Sequence, residues 1–231
     1  MAEASPKIIA HYHGIEVPDA PHFGPGMIQS MADGRYEGSE VRAGLAVVRP
    51  GARILEMGAG SGIVGAVIAR NCNVEQVLSI EANSDLIPYI EALYSHNGLS
   101  KIMQVRHCVV ISEPDAPQSI EFFVRGNFLG SGLTIVKNPE KARKVQVPVL
   151  RYEDLKAEFP HDVIVMDIEG AEREFLQHAD LSGVETVILE VHRDIYGREG
   201  MRDVRWSFDR SGFVIDKDHS RPGVHVYRRA A

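Results

Sequence analysis

From Arg53 onward, short apolar runs alternate with segments of helical periodicity. The runs "RILEM", "EQVLSIEA" and "IMQVRHCVVIS" predict three strands, and a helix follows each of the first two. "DVIVMDIEG" and "VETVILEVH" predict two more strands, with a helix over "AEREFLQHA" between them. Because "VIVM" and "VILEV" are apolar without alternation, both faces of these strands must be covered. The pattern therefore predicts a parallel sheet with helices on each side.

The last part of the chain predicts a different connection. "MRDVRWSFDRSG" has helical periodicity, and we expect its tryptophan, Trp206, to lie in the core. The strands "FVIDKD" and "VHVYRR" follow, joined by the turn residues of "SRPG". This link is too short for a crossover helix, so the two strands should pair antiparallel at one edge. The predicted fold class is α/β: a Rossmann-like, doubly wound, mostly parallel sheet with an antiparallel edge hairpin.

The length of 231 residues predicts one globular domain overall. Prolines and glycines concentrate in "GIEVPDAPHFGPG", so residues 1–44 are predicted to form an N-terminal arm or cap outside the core. Residues 45–231 would then form the main domain. Within it, "SIEFFVRG" and "VQVPVL" predict strands on either side of a glycine-rich loop, an insertion spanning 119–150.

Composition and charge argue against several classes of protein. The net charge of -7 disfavours a nucleic-acid binder, and we expect the basic cluster "KARK" (141–144) to be a solvated loop. Two cysteines are too few for a disulfide framework and favour a cytoplasmic location. No apolar run reaches the ~20 residues of a membrane span, and "MAEASPKIIAHYHG" lacks the apolar segment of a signal peptide. The sequence leaves open whether the chain forms a homodimer.

The segment "ILEMGAGSGIVG" (54–65) predicts a cofactor loop between the first strand and its helix. Gly58, Gly60 and Gly62 at alternate positions let a ligand approach the backbone. A dinucleotide fold would place a pyrophosphate at the start of the helix. The acid Glu56, two residues before the first glycine, would repel a pyrophosphate and suits a cationic ligand. Electrostatics therefore favours S-adenosylmethionine (SAM), which carries an ammonium and a sulfonium.

A second anchor is Glu81, which ends the second strand 21 residues after Gly60. An acid at about this distance accepts hydrogen bonds from ribose hydroxyls. Together with the glycine loop, Glu81 predicts a cofactor that contains a nucleoside. A Rossmann-like nucleotide-binding protein or oxidoreductase without methyl chemistry is the alternative from a different class.

At these residues the chain resembles the FkbM family of class I SAM-dependent methyltransferases. The resemblance rests on "GRYEGSE", "ILEMGAGSGIVG", "SIEANSDLIPYIEALYSHNGL", "MDIEGAEREFL" and "VILEVH". It implies the Rossmann-like methyltransferase fold, SAM as cofactor and O-methylation as activity. It also implies that the Tyr36–Glu37 pair caps the cofactor or its substrate, although Tyr36 could equally pack against the core. The implied cofactor contacts are Glu37, Glu56, Gly58, Gly60, Gly62, Glu81, Ala82, Asn83, Cys108, Val109 and Asp167.

Two strand ends supply candidate catalytic groups. Asp167 and Glu169 follow the strand "VIVM", and we expect Asp167 to lie near the sulfonium, although a helix N-cap would be its structural role. Glu190 and His192 alternate at the end of the next strand, so His192 could act as a general base or belong to a structural pair. Glu172 begins the following helix, where its charge either complements the helix dipole or serves the site.

Methyl transfer to an alcohol requires that the hydroxyl lose its proton, either to a base or through a metal that lowers its pKa. Asp167, Glu169, Glu190 and His192 could assemble a divalent metal site, but no short spacing demands one, so no metal ligand is assigned. The predicted acceptor is a hydroxyl of a small molecule or sugar-like metabolite, bound between residues 1–44 and the insertion. The alternatives are an amine or a macromolecule.

Overall fold

The computed structural model describes residues 6–125 and 142–230. The strands are β1 (Ile8–Tyr12), β2 (Ile15–Pro18), β3 (Arg53–Met57), β4 (Gln76–Glu81), β5 (Met103–His107), β6 (Val109–Ile111), β7 (Ser119–Arg125), β8 (Ala142–Arg151), β9 (Val163–Met166), β10 (Thr186–Glu190), β11 (Phe213–Ile215) and β12 (Val224–Arg229). The helices are α1 (Pro25–Ala32), α2 (Gly38–Val47), α3 (Ile63–Cys72), α4 (Ile87–His96), α5 (Tyr152–Glu158), α6 (Glu172–His178) and α7 (Arg193–Arg210).

A central seven-stranded sheet has the order β11-β12-β10-β9-β3-β4-β5. Strands β10, β9, β3, β4 and β5 are parallel, whereas β12 is antiparallel to both β10 and β11. The predicted fold class is confirmed, including the antiparallel hairpin at one edge. The chain adds β4 and β5 on one side of β3 and later adds β9 on the other side. The strand order therefore reverses between β3 and β9, where ligands bind in such sheets.

Apolar clusters cover both faces of this sheet. Ile54 belongs to a cluster with residues of α2, α3 and α4, and its neighbour Leu55 belongs to a cluster with residues of α6 and α7. Successive side chains of a strand point to opposite faces, which explains the unbroken apolar run that the sequence shows. None of the helices in residues 6–125 and 142–230 is long and apolar enough to cross a membrane.

The prediction that residues 1–44 lie outside the core is wrong for the first hairpin. Strands β1 and β2 pair antiparallel, and Tyr12, Ile15 and Val17 are buried in the cluster that also contains α3 and α4. The prolines that suggested an extended arm begin only at Pro18, the last residue of β2. Alternation of Ile15 and Val17 with polar residues is the sequence signal of this half-buried strand.

The predicted third strand is in fact two strands. Cys108 separates β5, which belongs to the central sheet, from β6, which pairs with β8 in a small sheet of order β6-β8-β7. The two strands predicted in the insertion are present as β7 and β8. Residues 142–144 of the basic cluster start β8 and are not a loop. Lys141 and the glycine-rich loop lie outside the described residues.

The prediction of a buried Trp206 is also wrong, because its side chain is 58% exposed. Helix α7 buries Met201, Val204 and Phe208, which recur every three or four residues. Trp206 lies two residues from Val204 and therefore points away from that face. The guanidinium of Arg210 stacks over the indole ring, 4.7 Å from its centroid.

Candidate active site

A cavity of about 300 Å³ opens at the carboxyl ends of β3, β4 and β9, beside the reversal of strand order. Residues of the segment 36–40, here termed the cap segment, and residues of β6 and β7 complete its walls. The predicted site residues that line it are Glu37, Glu56, Gly58, Gly60, Glu81, Ala82, Asn83, Cys108, Val109 and Asp167. Gly62, Glu190 and His192 are not among the lining residues.

Gly58 and Gly62 allow the glycine loop to pack closely against two different elements, β9 and α4. A Cβ on Gly58 would lie 1.7 Å from the carbonyl oxygen of Asp167, so glycine alone lets the ends of β3 and β9 touch. A Cβ on Gly62 would lie 2.9 Å from Ile90 Cγ2, which places this glycine against α4 rather than toward the cavity. Both residues have positive φ, 82° and 76°. The loop is thus shaped by packing on β9 and α4 as well as by its ligand.

Glu56 is a buried acid that connects three elements. Its Oε1 accepts a hydrogen bond of 2.7 Å from the backbone N–H of Gly65 in α3, and its Oε2 accepts one of 2.5 Å from Ser79 Oγ in β4. Burial raises the pKa of Glu56 to about 7, although both hydrogen bonds oppose the shift. Glu56 therefore fastens the end of β3 to α3 and β4.

Glu81 holds the other side of the glycine loop. Its Oε2 accepts a hydrogen bond of 2.7 Å from Gly60 N–H, and its Oε1 accepts one of 2.7 Å from Asn83 N–H. Burial raises the pKa of Glu81 to about 7, while these backbone hydrogen bonds lower it. A carboxylate has about four lone-pair sites, so each oxygen retains capacity for a further donor from the cavity. Two adjacent hydroxyls of a ribose fit this acceptor pair.

The cap segment closes the cavity from above the glycine loop. Tyr36 is buried, and its hydroxyl donates a hydrogen bond of 3.1 Å to Ser61 Oγ. Glu37 follows in the left-handed region with φ of 42°, a conformation uncommon for a residue other than glycine. Burial, followed by the charges of Glu40, Glu190 and Glu169, raises the pKa of Glu37 to about 7. The cap therefore brings another acid to the acidic strand ends.

The ends of β9 and β10 lie side by side and bring Asp167, Glu169, Glu190 and His192 together. His192 Nε2 lies 3.6 Å from Asp167 Oδ1 and 3.5 Å from Glu169 Oε2. Burial raises the pKa of Asp167 well above its ordinary value, and the charges of Glu190 and Glu169 raise it further. Burial alone would lower the pKa of His192, but the hydrogen bond and charge of Glu172 raise it overall.

Glu172 contributes more to this site than a charge at a helix start. Its side chain is 0% exposed, and its Oε1 lies 2.9 Å from His192 Nδ1. The same oxygen accepts hydrogen bonds from the N–H groups of Ile168 and Gly170, at 3.3 and 3.1 Å. Glu172 therefore closes the turn after β9 and orients the imidazole. Helical spacing from the sequence did not distinguish this role from dipole compensation.

Three further residues were not found by sequence analysis. Tyr196 OH accepts a hydrogen bond of 2.8 Å from the backbone N–H of His192. Ile120 and Phe122 of β7 line the cavity on the side of Ala82 and Val109, which pack near the same small sheet. Their alternation in "SIEFFVRG" predicts a strand but does not show which ligand cavity the strand adjoins.

The strand order, the glycine loop and the acid at the end of β4 define a class I SAM-dependent methyltransferase. The model of the methyltransferase FkbM domain matches residues 56–215, and the chain belongs to this family. As a member of this family of SAM-dependent methyltransferases, the chain uses S-adenosyl-L-methionine as its cofactor.

The chain is similar to several solved structures, and one with a TM-score above 0.5 shows the same fold. Precorrin-6y C5,15-methyltransferase from Geobacter metallireducens has 10% identity and a TM-score of 0.51, over 85% of this chain and 88% of that chain. A proposed tRNA (m1A22) methyltransferase from Streptococcus pneumoniae, in complex with S-adenosyl-L-methionine, has 15% identity and a TM-score of 0.47, over 82% and 72%. The m1A22 tRNA methyltransferase of B. subtilis has 12% identity and a TM-score of 0.46, over 83% and 65%. No curated protein matches the sequence.

Proposed function

We propose that this enzyme transfers the methyl group of SAM to a hydroxyl of a small molecule or sugar-like metabolite. The observation that carries the proposal is the position of His192 Nε2, 3.6 Å from Asp167 Oδ1, with Nδ1 held by the buried Glu172. An acceptor hydroxyl needs a group of this kind, because an alcohol is a poor nucleophile until its proton leaves.

The cavity supports a definite orientation of the cofactor. Glu81, with unused lone pairs on both oxygens, would accept the ribose hydroxyls. The adenine ring would be surrounded by residues that line the cavity beyond Glu81: Ala82, Asn83, Cys108, Val109, Ile120 and Phe122. Asp167 and Glu37 would face the cationic end. When bound, SAM supplies an electrophilic methyl group on a sulfonium.

The acidic strand ends would then receive the acceptor. The acceptor hydroxyl would lose its proton at the face formed by Asp167, Glu190 and His192, its oxygen would bond to the methyl carbon, and the carbon–sulfur bond would break. The electron pair of that bond stays on sulfur, so the sulfonium becomes a neutral thioether. Holding the three atoms in line is worth ~7–11 kcal/mol in such reactions.

Charge favours a small molecule over RNA as acceptor. Glu37, Glu40, Asp167, Glu169 and Glu174 all line the cavity, and the net charge of the chain is -7. Phosphate backbones bind where lysine and arginine neutralise them, and carboxylates oppose that binding. The Tyr36 cap, bonded to Ser61, further restricts the space above the loop.

Two experiments test the proposal. Calorimetric titration should show binding of SAM and of its demethylated product, whereas NAD should give no heat. Incubation with SAM carrying a labelled methyl group and a panel of alcohols, amines and tRNA should then label alcohols. Preference for NAD would contradict SAM chemistry. Label confined to amines or tRNA would contradict the hydroxyl acceptor and leave the cofactor assignment intact.

A further inference from the structure

We propose that Asp167, Glu190 and His192, here termed the ligand triad, bind one divalent cation of the Mn²⁺ or Mg²⁺ type beside the methyl-transfer site. This inference rests on the proposed function, because it specifies how that face would ionise the acceptor hydroxyl. It concerns binding of the cation first, which is measurable without any acceptor.

The geometry of the ligand triad already suits a shared ion. One ligand atom from each of Asp167, Glu190 and His192 lies within 4.8 Å of the others. Asp167 Oδ1 is inaccessible to solvent and accepts no hydrogen bond from the residues that the structure describes, since His192 Nε2 lies 3.6 Å away. A buried carboxylate oxygen normally has a partner, since leaving it unpaired is costly. A cation at the triad would provide that partner.

The orientation of His192 matches that of a metal ligand. Glu172 Oε1, 2.9 Å from Nδ1, fixes the tautomer that carries its hydrogen on Nδ1. The lone pair of Nε2 then faces Asp167 and Glu169. Metal-ligating histidines almost always donate their second ring N–H to a carboxylate or carbonyl in this way. Glu172 would thus be the positioning residue behind the ligand.

The chemistry of the donors selects the kind of cation. Two carboxylate oxygens with one imidazole nitrogen suit Mn²⁺ or Mg²⁺ rather than a soft ion that prefers thiolates. Glu190 also belongs to a second group, with Glu37 and Glu40, in which one carboxylate oxygen of each residue lies within 4.8 Å of the others. Two positive charges would offset this concentration of carboxylates. An acceptor hydroxyl that joins the ion would have a lowered pKa and would release its proton to water.

The test uses the chain of 231 residues, freed of metal with EDTA and then titrated with MnCl₂, with free Mn²⁺ followed by EPR. We expect one Mn²⁺ per chain. Asp167→Asn, Glu190→Gln and His192→Ala should each weaken Mn²⁺ binding at least ~10-fold, and Glu172→Gln should weaken it by ~10–100-fold. Glu174→Gln removes the same charge from another acid lining the cavity and should bind Mn²⁺ as the parent does.

Folding of each variant is checked by its thermal transition, and the Glu190, His192 and Glu172 variants are also checked by SAM binding. The inference is overturned if the parent binds no Mn²⁺, if the ligand variants bind it as the parent does, or if Glu174→Gln weakens it equally. It is also overturned if EDTA-treated enzyme methylates an alcohol at the rate of the Mn²⁺-loaded enzyme, a result that leaves the proposed function standing. If the parent binds one Mn²⁺ per chain and the ligand variants do not, the cation site is supported whether or not an alcohol is methylated. A failure to methylate any alcohol would contradict only the proposed acceptor.

Discussion

His192 Nδ1 lies 2.9 Å from Oε1 of Glu172, a carboxylate whose side chain is completely buried. Burial lowers the pKa of His192, and the hydrogen bond and charge of Glu172 are the largest effects that raise it. Replacing Glu172 by Gln keeps the shape of the side chain but removes its charge. We expect the pKa of His192 to fall in the metal-free variant, followed by NMR of the imidazole nitrogens, and turnover to fall ~10–100-fold. An unchanged pKa relative to the parent, with Glu174→Gln as the matched control, would contradict this coupling.

Substitution of Glu81 tests the ribose anchor. Glu81→Ala removes both acceptor oxygens that reach Gly60 and Asn83 and that would meet the ribose. Hydrogen bonds to charged groups contribute ~1.5–3 kcal/mol, so SAM affinity should fall at least ~10-fold in calorimetry. Asp85→Ala is the control, because this nearby acid is exposed and pairs with Arg143. Parent-like SAM affinity in Glu81→Ala would show that another group holds the sugar.

Cofactor binding should release protons near neutral pH. Burial raises the pKa values of Glu37 and Glu81 to about 7, so each is partly protonated there. A bound cation favours their charged forms and lowers both pKa values, so SAM affinity should rise with pH and level off above about 7. Titration at pH 6.5 in two buffers of different ionisation enthalpy measures the released protons. Glu37→Gln should reduce their number, and identical heats in both buffers for the parent would refute the linkage.

Gly58 should be among the least tolerant positions for folding. In Gly58→Ala the new Cβ would meet the backbone oxygen of Asp167, which no side-chain rotation can relieve. We expect the free energy of unfolding in urea to fall by about 3 kcal/mol or more. Gly26→Ala in α1 is the control, since no atom of the residues described lies within 4 Å of its Cβ, and it should be neutral or slightly stabilising. Similar unfolding curves for the two variants would argue against the close contact of β3 and β9.

Trp206 offers a direct optical test of the fold because it is the only tryptophan. With 58% of its side chain exposed, its fluorescence should be quenched by acrylamide almost as efficiently in the folded protein as in urea. Trp206→Ala should change the free energy of unfolding by only about 0.5 kcal/mol, as for other surface substitutions. Strong protection from acrylamide, or a large loss of stability, would indicate that the indole is buried.

Much of the fold was predictable because its signals are local. The apolar runs of β3, β9 and β10 gave correct strands, since burial on both faces leaves an unbroken hydrophobic pattern. The predictions were wrong where the structure of a segment depends on an element far away in the chain that packs against it. The break at Cys108 depends on β8, which draws β6 into a separate sheet. The exposure of Trp206 depends on which face of α7 the sheet covers.

By itself, the sequence indicated a cofactor that contains a nucleoside, because the glycine loop and Glu81 are placed by short-range spacing within one strand–helix–strand unit. The resemblance of its motifs to the FkbM family then implied the methyltransferase class. The sequence also named the acids at the ends of β9 and β10. Only the tertiary structure decided that Glu172 is buried against His192 and that Asp167, Glu190 and His192 share one small volume. The physical reason is that β9 and β10 become neighbours through parallel pairing, and side-chain distances across two strands are fixed by register and packing rather than by position along the chain.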